Sequence, residues 1–114
     1  MDVIERDERP WGYYEVLLRD TGIQIKRIHV NAWSKLSLQT HNHRAEHWFC
    51  TQGTGVVTIG EARMDISPGK SFYIEALQMH RVEATHYDLE FIEVQVGYYL
   101  GEDDIVRHSD DYGR

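Results

Sequence analysis

Hydrophobic and polar residues alternate over short stretches of this chain, and turn-forming residues separate the stretches. Residues 23–30 (IQIKRIHV) alternate imperfectly, which suggests that both faces are partly covered, and residues 89–96 (LEFIEVQV) give the longest strand signal. Side chains two apart on a strand share a face, so this pattern indicates strands rather than helices. Turn sequences such as RDTG at residues 19–22 and SPG at 67–69 recur about every 8–12 residues, which predicts an all-β sandwich or barrel.

The other strands are expected at residues 13–18, 36–43, 46–51, 56–59, 63–66, 71–75 and 81–84. Residues 1–8 are mostly charged, which predicts a loose N-terminal arm. Residues 98–114 form a charged C-terminal tail, in which a short helix is expected to begin near Glu102. The 114 residues are expected to form a single domain.

The composition is that of a soluble globular protein, with 41% hydrophobic and 27% charged residues. The formal net charge of −7, without a basic run, argues against a nucleic-acid or anionic-membrane partner. No apolar run approaches the roughly 18 residues of a membrane-spanning helix, and the start lacks a signal-peptide core. Cys50 is the single cysteine, so an internal disulfide is excluded and a reducing, cytoplasmic location is expected.

The densest group of metal-binding side chains lies in residues 39–53 (QTHNHRAEHWFCTQG), where three histidines and a glutamate fall within seven residues. On a strand, His41 and His43 would point to one face, roughly 6–7 Å apart. After a short turn, Glu46 or His47 could close on the same ion. Imidazole and carboxylate ligands together favour Zn, Fe, Mn, Co or Ni over Ca or Mg. The alternative is a histidine-rich polar strand at the surface.

This stretch resembles the first of the two motifs of cupins, which fold as double-stranded β-helix (jelly-roll) barrels. That motif reads His-x-His, three or four residues, Glu, six residues, Gly. The matching residues here are His41, His43, Glu46 and Gly53, with two residues between His43 and Glu46. The resemblance implies an all-β cupin barrel followed by a short C-terminal tail or helix.

A second stretch is similar to the other cupin motif, which reads Gly, five residues, Pro-x-Gly, two residues, His. Gly69 and His80 have this separation, while Glu75 and Leu77 stand at the proline and glycine positions. The resemblance therefore implies that His80 is a further metal ligand.

Three longer strings resemble the C-terminal domain of type II mannose-6-phosphate isomerases. They are RPWG at residues 9–12, SLQTHNHRAEHW at 37–48 and YLGEDDIVRHSDDYGR at 99–114. In that family the cupin usually follows a mannose-1-phosphate guanylyltransferase domain, and the present chain is expected to be the cupin as a stand-alone domain. The likeness implies a metal-dependent isomerase that interconverts mannose 6-phosphate and fructose 6-phosphate.

The family resemblance also implies roles for individual residues. One divalent transition metal (Zn, Mn, Co, Fe or Ni) is expected on His41, His43, Glu46 and His80, with His47 as the substitute for Glu46. Isomerisation of a sugar phosphate needs a Lewis acid, a base and a cation for the phosphate. The catalytic candidates are Arg44, His47 and Glu46, with Glu102 as a more distant candidate for the base. A surface arginine paired with an acid is the alternative for Arg44.

Candidates for contacts with the substrate are Gln39, Lys26, Glu93, Gln95 and Arg107, with Arg114 as a further phosphate contact. Gln39 could be an additional metal ligand or a hydrogen-bond donor in the pocket. Glu93 and Gln95 share one face of the longest strand, which could equally face solvent.

The same candidate residues are also compatible with two other functions. One is a non-catalytic, metal-containing cupin that binds a sugar or sugar phosphate, or that partners a separate guanylyltransferase. The other is a metal-dependent dioxygenase, since one fold hosts many chemistries. A homodimer is expected, formed through the aromatic N-terminal segment that ends at Tyr14.

Overall fold

The computed structural model describes residues 2–110 and 112, and this part of the chain contains eleven strands and no helix. The strands are β1 (Glu5–Arg9), β2 (Gly12–Asp20), β3 (Ile23–Val30), β4 (Leu38–Thr40), β5 (Arg44–Gln52), β6 (Gly55–Ile59), β7 (Ala62–Ile66), β8 (Ser71–Ile74), β9 (His80–Ala84), β10 (Leu89–Gly97) and β11 (Val106–Ser109). The predicted all-β class is confirmed.

The strands form two antiparallel sheets. The larger has the order β1-β2-β3-β10-β5-β8 and the smaller the order β11-β4-β9-β6-β7. Strands that are distant in sequence therefore lie side by side, as in a jelly roll. Among the described residues, no helix is long and apolar enough to cross a membrane.

Three predicted elements differ from the structure. Residues 5–8, expected in a loose arm, belong to β1 (Glu5–Arg9), which pairs with β2. The strand expected at 36–43 is only Leu38–Thr40. The helix expected near Glu102 is absent from the described residues, and Val106–Ser109 instead pair with β4. The edge of a sheet offers unpaired backbone groups that nearby chain can use, which local sequence patterns do not reveal.

The space between the sheets is apolar at one end and polar at the other. The apolar end holds fully buried side chains such as Val57, Val82 and Phe91. In the pairing of β3 with β10, Ile28 lies opposite Phe91 and Lys26 lies opposite Glu93. Because the pairing is antiparallel, the polar half of each strand reaches the same end of the barrel. The candidate site lies at this polar end.

Candidate metal centre and cavity

Three side chains converge at the polar end of the barrel: His41 from the segment after β4, Glu46 from β5 and His80 from β9. They are 4%, 1% and 2% exposed. One ligand atom from each lies within 4.8 Å of the others. The His41 Nε2 atom is 3.3 Å from a Glu46 carboxylate oxygen, and the His80 Nε2 atom is 3.6 Å from the other. Two imidazoles and a carboxylate are a ligand set that suits a divalent transition metal.

Hydrogen bonds hold both imidazoles in the orientation that metal binding requires. The Nδ1 atom of His41 donates to the backbone oxygen of Asp104 at 2.7 Å, and that of His80 donates to the backbone oxygen of Gln78 at 2.9 Å. A carbonyl oxygen can only accept, so the Nε2 lone pair of each neutral ring faces Glu46.

Both histidines favour the neutral form. Burial, followed by the positive charge of Arg44, lowers the pKa of His41 to about 4. Burial also lowers the pKa of His80. Neutral imidazole is the form that binds metals, so burial prepares both side chains for an ion.

The structure does not bring His43 to the other three side chains. Residues 41–43 lie outside the strands, so the expectation that His41 and His43 share one face of a strand is wrong. The backbone N–H groups of Asn42 and His43 donate to the Asp104 carboxylate at 2.8 and 3.0 Å, which holds a bend. The His43 ring is half-buried and is hydrogen-bonded to the Tyr98 hydroxyl instead.

Gln39 takes the position of the first histidine of the first cupin motif, which the sequence analysis assigned to His41. It lies opposite His80 in the pairing of β4 with β9 and lines the same cavity as His41. Its amide nitrogen donates to Ser37, at 3.2 Å to the backbone oxygen and 3.1 Å to the hydroxyl. The amide oxygen is then the group that could complete the metal set. With Gln39 at the first histidine position, His41 stands at the second. Four residues then separate His41 from Glu46, which agrees with the three or four residues of the cupin motif.

Arg44 points into the barrel rather than over its rim, and it is 7% exposed. Its Nε and Nη2 atoms lie 2.9 and 2.8 Å from the same oxygen of Glu46. The Nη2 atom also lies 3.4 Å from the Nε2 atom of His41. Arg44 therefore orients the carboxylate that would bind the metal.

His47 lies on the outer face of β5, because successive side chains on a strand alternate. It is exposed, and its ring packs against Tyr73 with centroids 4.4 Å apart. The structure thus places His47 outside the cavity, unlike Arg44 and Glu46.

A cavity adjoins the candidate metal group. Four of the five predicted substrate contacts line it, namely Gln39, Lys26, Glu93 and Arg107, together with Arg44 and Glu102. Gln95 does not line it. This side chain is completely buried, donates to Glu93 at 2.9 Å and accepts from Gln24 at 2.8 Å. Arg114 lies outside the described residues.

Lys26 is the most buried cation of this cavity, at 3% exposure. Its Nζ atom lies 2.7 Å from a Glu102 carboxylate oxygen and 3.9 Å from the centre of the Tyr14 ring. The Glu102 side chain is 47% exposed and belongs to the segment between β10 and β11. A buried lysine paired with a more exposed carboxylate is a site where an incoming anion can replace that carboxylate.

Three site residues escaped the sequence analysis. Trp48 donates to both Glu46 and Glu93, at 3.2 and 3.1 Å, and so links the two buried carboxylates. Asp104 fixes both the bend and the His41 ring. Arg9 lines the cavity from β1. The acidic run at residues 102–104 was a signal for Asp104, but nothing local distinguishes its three members.

Comparisons with known proteins agree with this arrangement. The sequence model of a family described as "Mannose-6-phosphate isomerase C-terminal" matches residues 2–110. The chain is 49% identical over 107 residues to the "Xanthan biosynthesis protein XanB" of Xanthomonas campestris pv. campestris, covering 93% of the chain and 23% of that protein. It is 41% identical over 104 residues to a "Mannose-1-phosphate guanylyltransferase" of Sinorhizobium fredii, covering 90% of the chain and 20% of that protein. The chain thus spans less than a quarter of the length of these relatives.

Among solved structures, a cupin 2 conserved barrel domain protein from Rhodopseudomonas palustris superposes with a TM-score of 0.70 at 20% sequence identity. The match covers 81% of the present chain and 68% of the other. At this identity the likeness concerns the fold, and it confirms the predicted cupin barrel.

Proposed function

Because the chain belongs to the mannose-6-phosphate isomerase C-terminal family, we propose that it is a metal-dependent isomerase interconverting mannose 6-phosphate and fructose 6-phosphate. The observation that carries the proposal is the group formed by His41, Glu46 and His80, which adjoins a cavity lined by four cationic side chains. These are Arg9, Lys26, Arg44 and Arg107. We expect this chemistry to take place in the cytoplasm.

The ligand set would hold one divalent transition metal on His41, Glu46 and His80, with the amide oxygen of Gln39 as a fourth ligand. When bound, such an ion supplies a Lewis acid for the two sugar oxygens between which the carbonyl moves. Arg44 keeps Glu46 in place and contributes a second positive charge near the oxygen on which negative charge develops.

Lys26 and Arg107 are the groups proposed to hold the phosphate, with Arg9 beside them in the cavity lining. In the structure, Lys26 binds the Glu102 carboxylate. A phosphate carries more charge than a carboxylate and has more acceptor oxygens, so it can take the place of Glu102 at Lys26. Glu102 would then swing toward solvent, where its side chain is already half exposed.

The proton between C1 and C2 needs a base inside the cavity, and Glu93 is the candidate that we favour. Burial, followed by the negative charge of Glu46, raises the pKa of Glu93. A carboxyl group with a raised pKa can both accept a proton and return it. Glu102 is the alternative base in the case where it keeps its place at Lys26 when the substrate binds, and a comparison of Glu93→Gln with Glu102→Gln distinguishes the two.

The deciding experiment is a coupled assay with mannose 6-phosphate on protein reconstituted with Zn, Mn, Co, Fe or Ni in turn. Formation of fructose 6-phosphate, and deuterium uptake at C2 in heavy water, are expected with at least one metal. Metal-free protein and the His80→Ala variant serve as controls.

A second candidate function is a non-catalytic cupin that binds a sugar phosphate, or that partners a separate guanylyltransferase. The observation that favours it is that Lys26 and Arg44 both already have carboxylate partners within the chain. Fully metallated protein that binds mannose 6-phosphate but exchanges no proton at C2 would decide for the binder.

A further inference from the structure

Two glutamines are buried beside the cavity without lining it. Gln24 on β3 is 2% exposed, and Gln95 on β10 is 0% exposed. They lie opposite each other in the pairing of β3 with β10, and the Gln24 amide nitrogen donates to the Gln95 amide oxygen at 2.8 Å. Burying amide groups costs free energy unless their hydrogen bonds are made, so the remaining partners of this pair matter.

The hydrogen bonds of the two glutamines continue in both directions. On one side, the Arg19 Nε atom donates to the Gln24 amide oxygen at 2.7 Å. On the other side, the Gln95 amide nitrogen donates to a Glu93 carboxylate oxygen at 2.9 Å. We name Arg19, Gln24 and Gln95 the amide chain. It connects an arginine whose side chain is 47% exposed to a carboxylate that lines the cavity and is 5% exposed.

A bulge in β2 brings Arg19 to the amide chain. The register between β2 and β3 shifts between Val16 and Leu18, and beyond this shift Arg19 lies opposite Gln24. One extra residue in a strand reverses which of the following side chains face inward. Without the bulge, Leu18 rather than Arg19 would share the inward face with Val16. The backbone of β2 is thus arranged so that a cation ends the row formed by Gln24 and Gln95.

The two ends of the amide chain give it a single direction. A guanidinium group has donors and no acceptor, so Gln24 turns its amide oxygen to Arg19. The Gln24 amide nitrogen then faces the oxygen of Gln95, whose own nitrogen is left for Glu93. A carboxylate accepts and cannot donate, so this end requires the same order. Hydrogen bonds that point the same way along a chain strengthen one another.

The Glu93 carboxylate is consequently held at both of its oxygens. One oxygen accepts from Gln95 at 2.9 Å, and the other accepts from the indole nitrogen of Trp48 at 3.1 Å. Trp48 lies opposite Glu93 on β5, so the two donors belong to different strands. Donors on both oxygens oppose rotation of the carboxylate about its last side-chain bond, and they fix which of its lone pairs face the cavity.

We propose that Arg19, Gln24 and Gln95 are positioning residues for the base of the isomerisation, because they hold the Glu93 carboxylate in the orientation in which it moves the proton between C1 and C2. This inference rests on the proposed function, in which Glu93 is the favoured base. A base must lie within hydrogen-bond reach of the proton that it takes, and a small misplacement lowers the rate strongly. The amide chain does not line the cavity, so its loss should lower kcat and leave KM nearly unchanged.

Steady-state kinetics of the metal-reconstituted chain with mannose 6-phosphate test the inference. Gln95→Met keeps the size of the side chain but removes the donor to Glu93, so kcat is expected to fall about 10- to 100-fold, the range for one hydrogen bond to a charged group. Arg19→Leu, at the far end of the chain, is expected to lower kcat about 3- to 10-fold, as for a neutral hydrogen bond. Arg19→Lys keeps a donor without an acceptor and should recover most of that loss.

The matched control is Arg6→Leu. Arg6 lies on the neighbouring edge strand β1, and its side chain is 49% exposed. It pairs with Glu8 at 3.1 Å and with Glu15 at 3.8 Å, both carboxylates, so its loss should leave kcat unchanged. Circular dichroism and thermal melting establish that each variant is folded. If Gln95→Met does not fold, the Arg19 variants decide the question, because they change a half-exposed side chain.

A second measurement does not depend on turnover. In the metal-free protein, NMR follows the exchange with water of the side-chain amide protons of Gln24 and Gln95. These protons are expected to exchange slowly in the wild type and several-fold faster in Arg19→Leu, because loosening one end of a connected chain loosens the rest. Arg6→Leu should leave their exchange rates unchanged.

The outcomes separate this inference from the proposed function. Exchange rates that Arg19→Leu leaves unchanged overturn the inference. A kcat that Arg19→Leu leaves unchanged, or a loss confined to KM, overturns it as well. Metallated wild-type protein without turnover overturns the proposed function instead, and the exchange rates then still decide whether the amide chain holds Glu93.

Discussion

The Nε2 atoms of His41 and His80 face Glu46 because backbone carbonyls accept the hydrogen bonds of their Nδ1 atoms. We therefore expect the purified protein to carry about one transition-metal ion per chain. His80→Ala should lower metal affinity by more than the roughly 10- to 100-fold that loss of an outer hydrogen-bond partner causes. Elemental analysis measures the metal content per chain, and the thermal shift on adding metal compares metal binding by the wild type and His80→Ala.

The matched control is His86→Ala. His86 is exposed and packs against the edge of the Trp33 ring, away from the metal group. This variant should retain its metal, and equal behaviour of the two variants would show that the ligand assignment is wrong.

Arg44 is the residue whose substitution best separates catalysis from binding. Its guanidinium makes charge-assisted contacts with Glu46, of a kind worth roughly 1.5–3 kcal/mol each. If comparable contacts form in the transition state, Arg44→Ala should lower turnover by about 10- to 100-fold or more. Arg44→Lys should recover only part of the rate, because an ammonium group cannot replace the planar fork.

The burial of Arg44 adds a consequence for stability. Without metal, Arg44→Ala leaves the Glu46 carboxylate buried without its cation, so the melting temperature of the metal-free variant should fall and metal should restore it. Metal content, melting temperature and rate are to be measured on the same preparations. Unchanged turnover in the metallated Arg44→Ala protein would refute the catalytic role.

Among the structural elements, the turn between β8 and β9 carries a strained residue at a site that contacts the metal group. Leu77 has a φ angle of 69°, in the left-handed region that favours glycine, and its N–H donates to the His41 backbone oxygen at 2.7 Å. Leu77 is the position where the second cupin motif has glycine, so the structure gives the physical reason for that preference. The side chain is 68% exposed and contributes little to the core.

Leu77→Gly should therefore raise the free energy of unfolding by about 0.5–1 kcal/mol, after the added freedom of the unfolded chain is subtracted. Chemical denaturation measures the change. Leu77→Ala is the matched control, because it removes the same side chain while keeping a Cβ atom in the left-handed conformation. A gain of the same size in both variants would mean that the leucine side chain, rather than the backbone, is unfavourable.

For the whole molecule, the buried histidines make stability depend on pH. The pKa of His41 is about 4 in the folded protein, below its ordinary value of 6.5. Between these pH values the unfolded chain binds more protons, so the His41 contribution is complete above about pH 6.5 and is lost as the pH falls to about 4. For the metal-free protein this loss should be roughly 3 kcal/mol.

The measurement is the free energy of unfolding between pH 4 and pH 7, compared between the wild type and His41→Gln. Glu93, whose pKa is raised, changes stability in the opposite direction, so the difference between the two proteins isolates His41. Equal slopes in the two proteins would contradict the lowered pKa of His41.

The sequence by itself determined the all-β class, most of the strands and the residue types of the candidate site. Alternation with a period of two is a local property, and short runs are enough to show it. Glu46 and His80 were identified because their distances from Gly53 and Gly69 match the spacings of the two cupin motifs that the sequence resembles. The inward direction of Glu46 and the outward direction of His47 follow from the same period.

Only the tertiary structure decided which other residues lie beside Glu46 and His80. His43 lies outside the metal group because Asp104, 62 residues further along the chain than Asn42, holds a bend at Asn42. Lys26 meets Glu102 across 76 residues. The edge strands β1 and β11 exist because neighbouring strands offer unpaired backbone groups. Such contacts depend on how the two sheets fold over each other, and no local pattern in the chain encodes them.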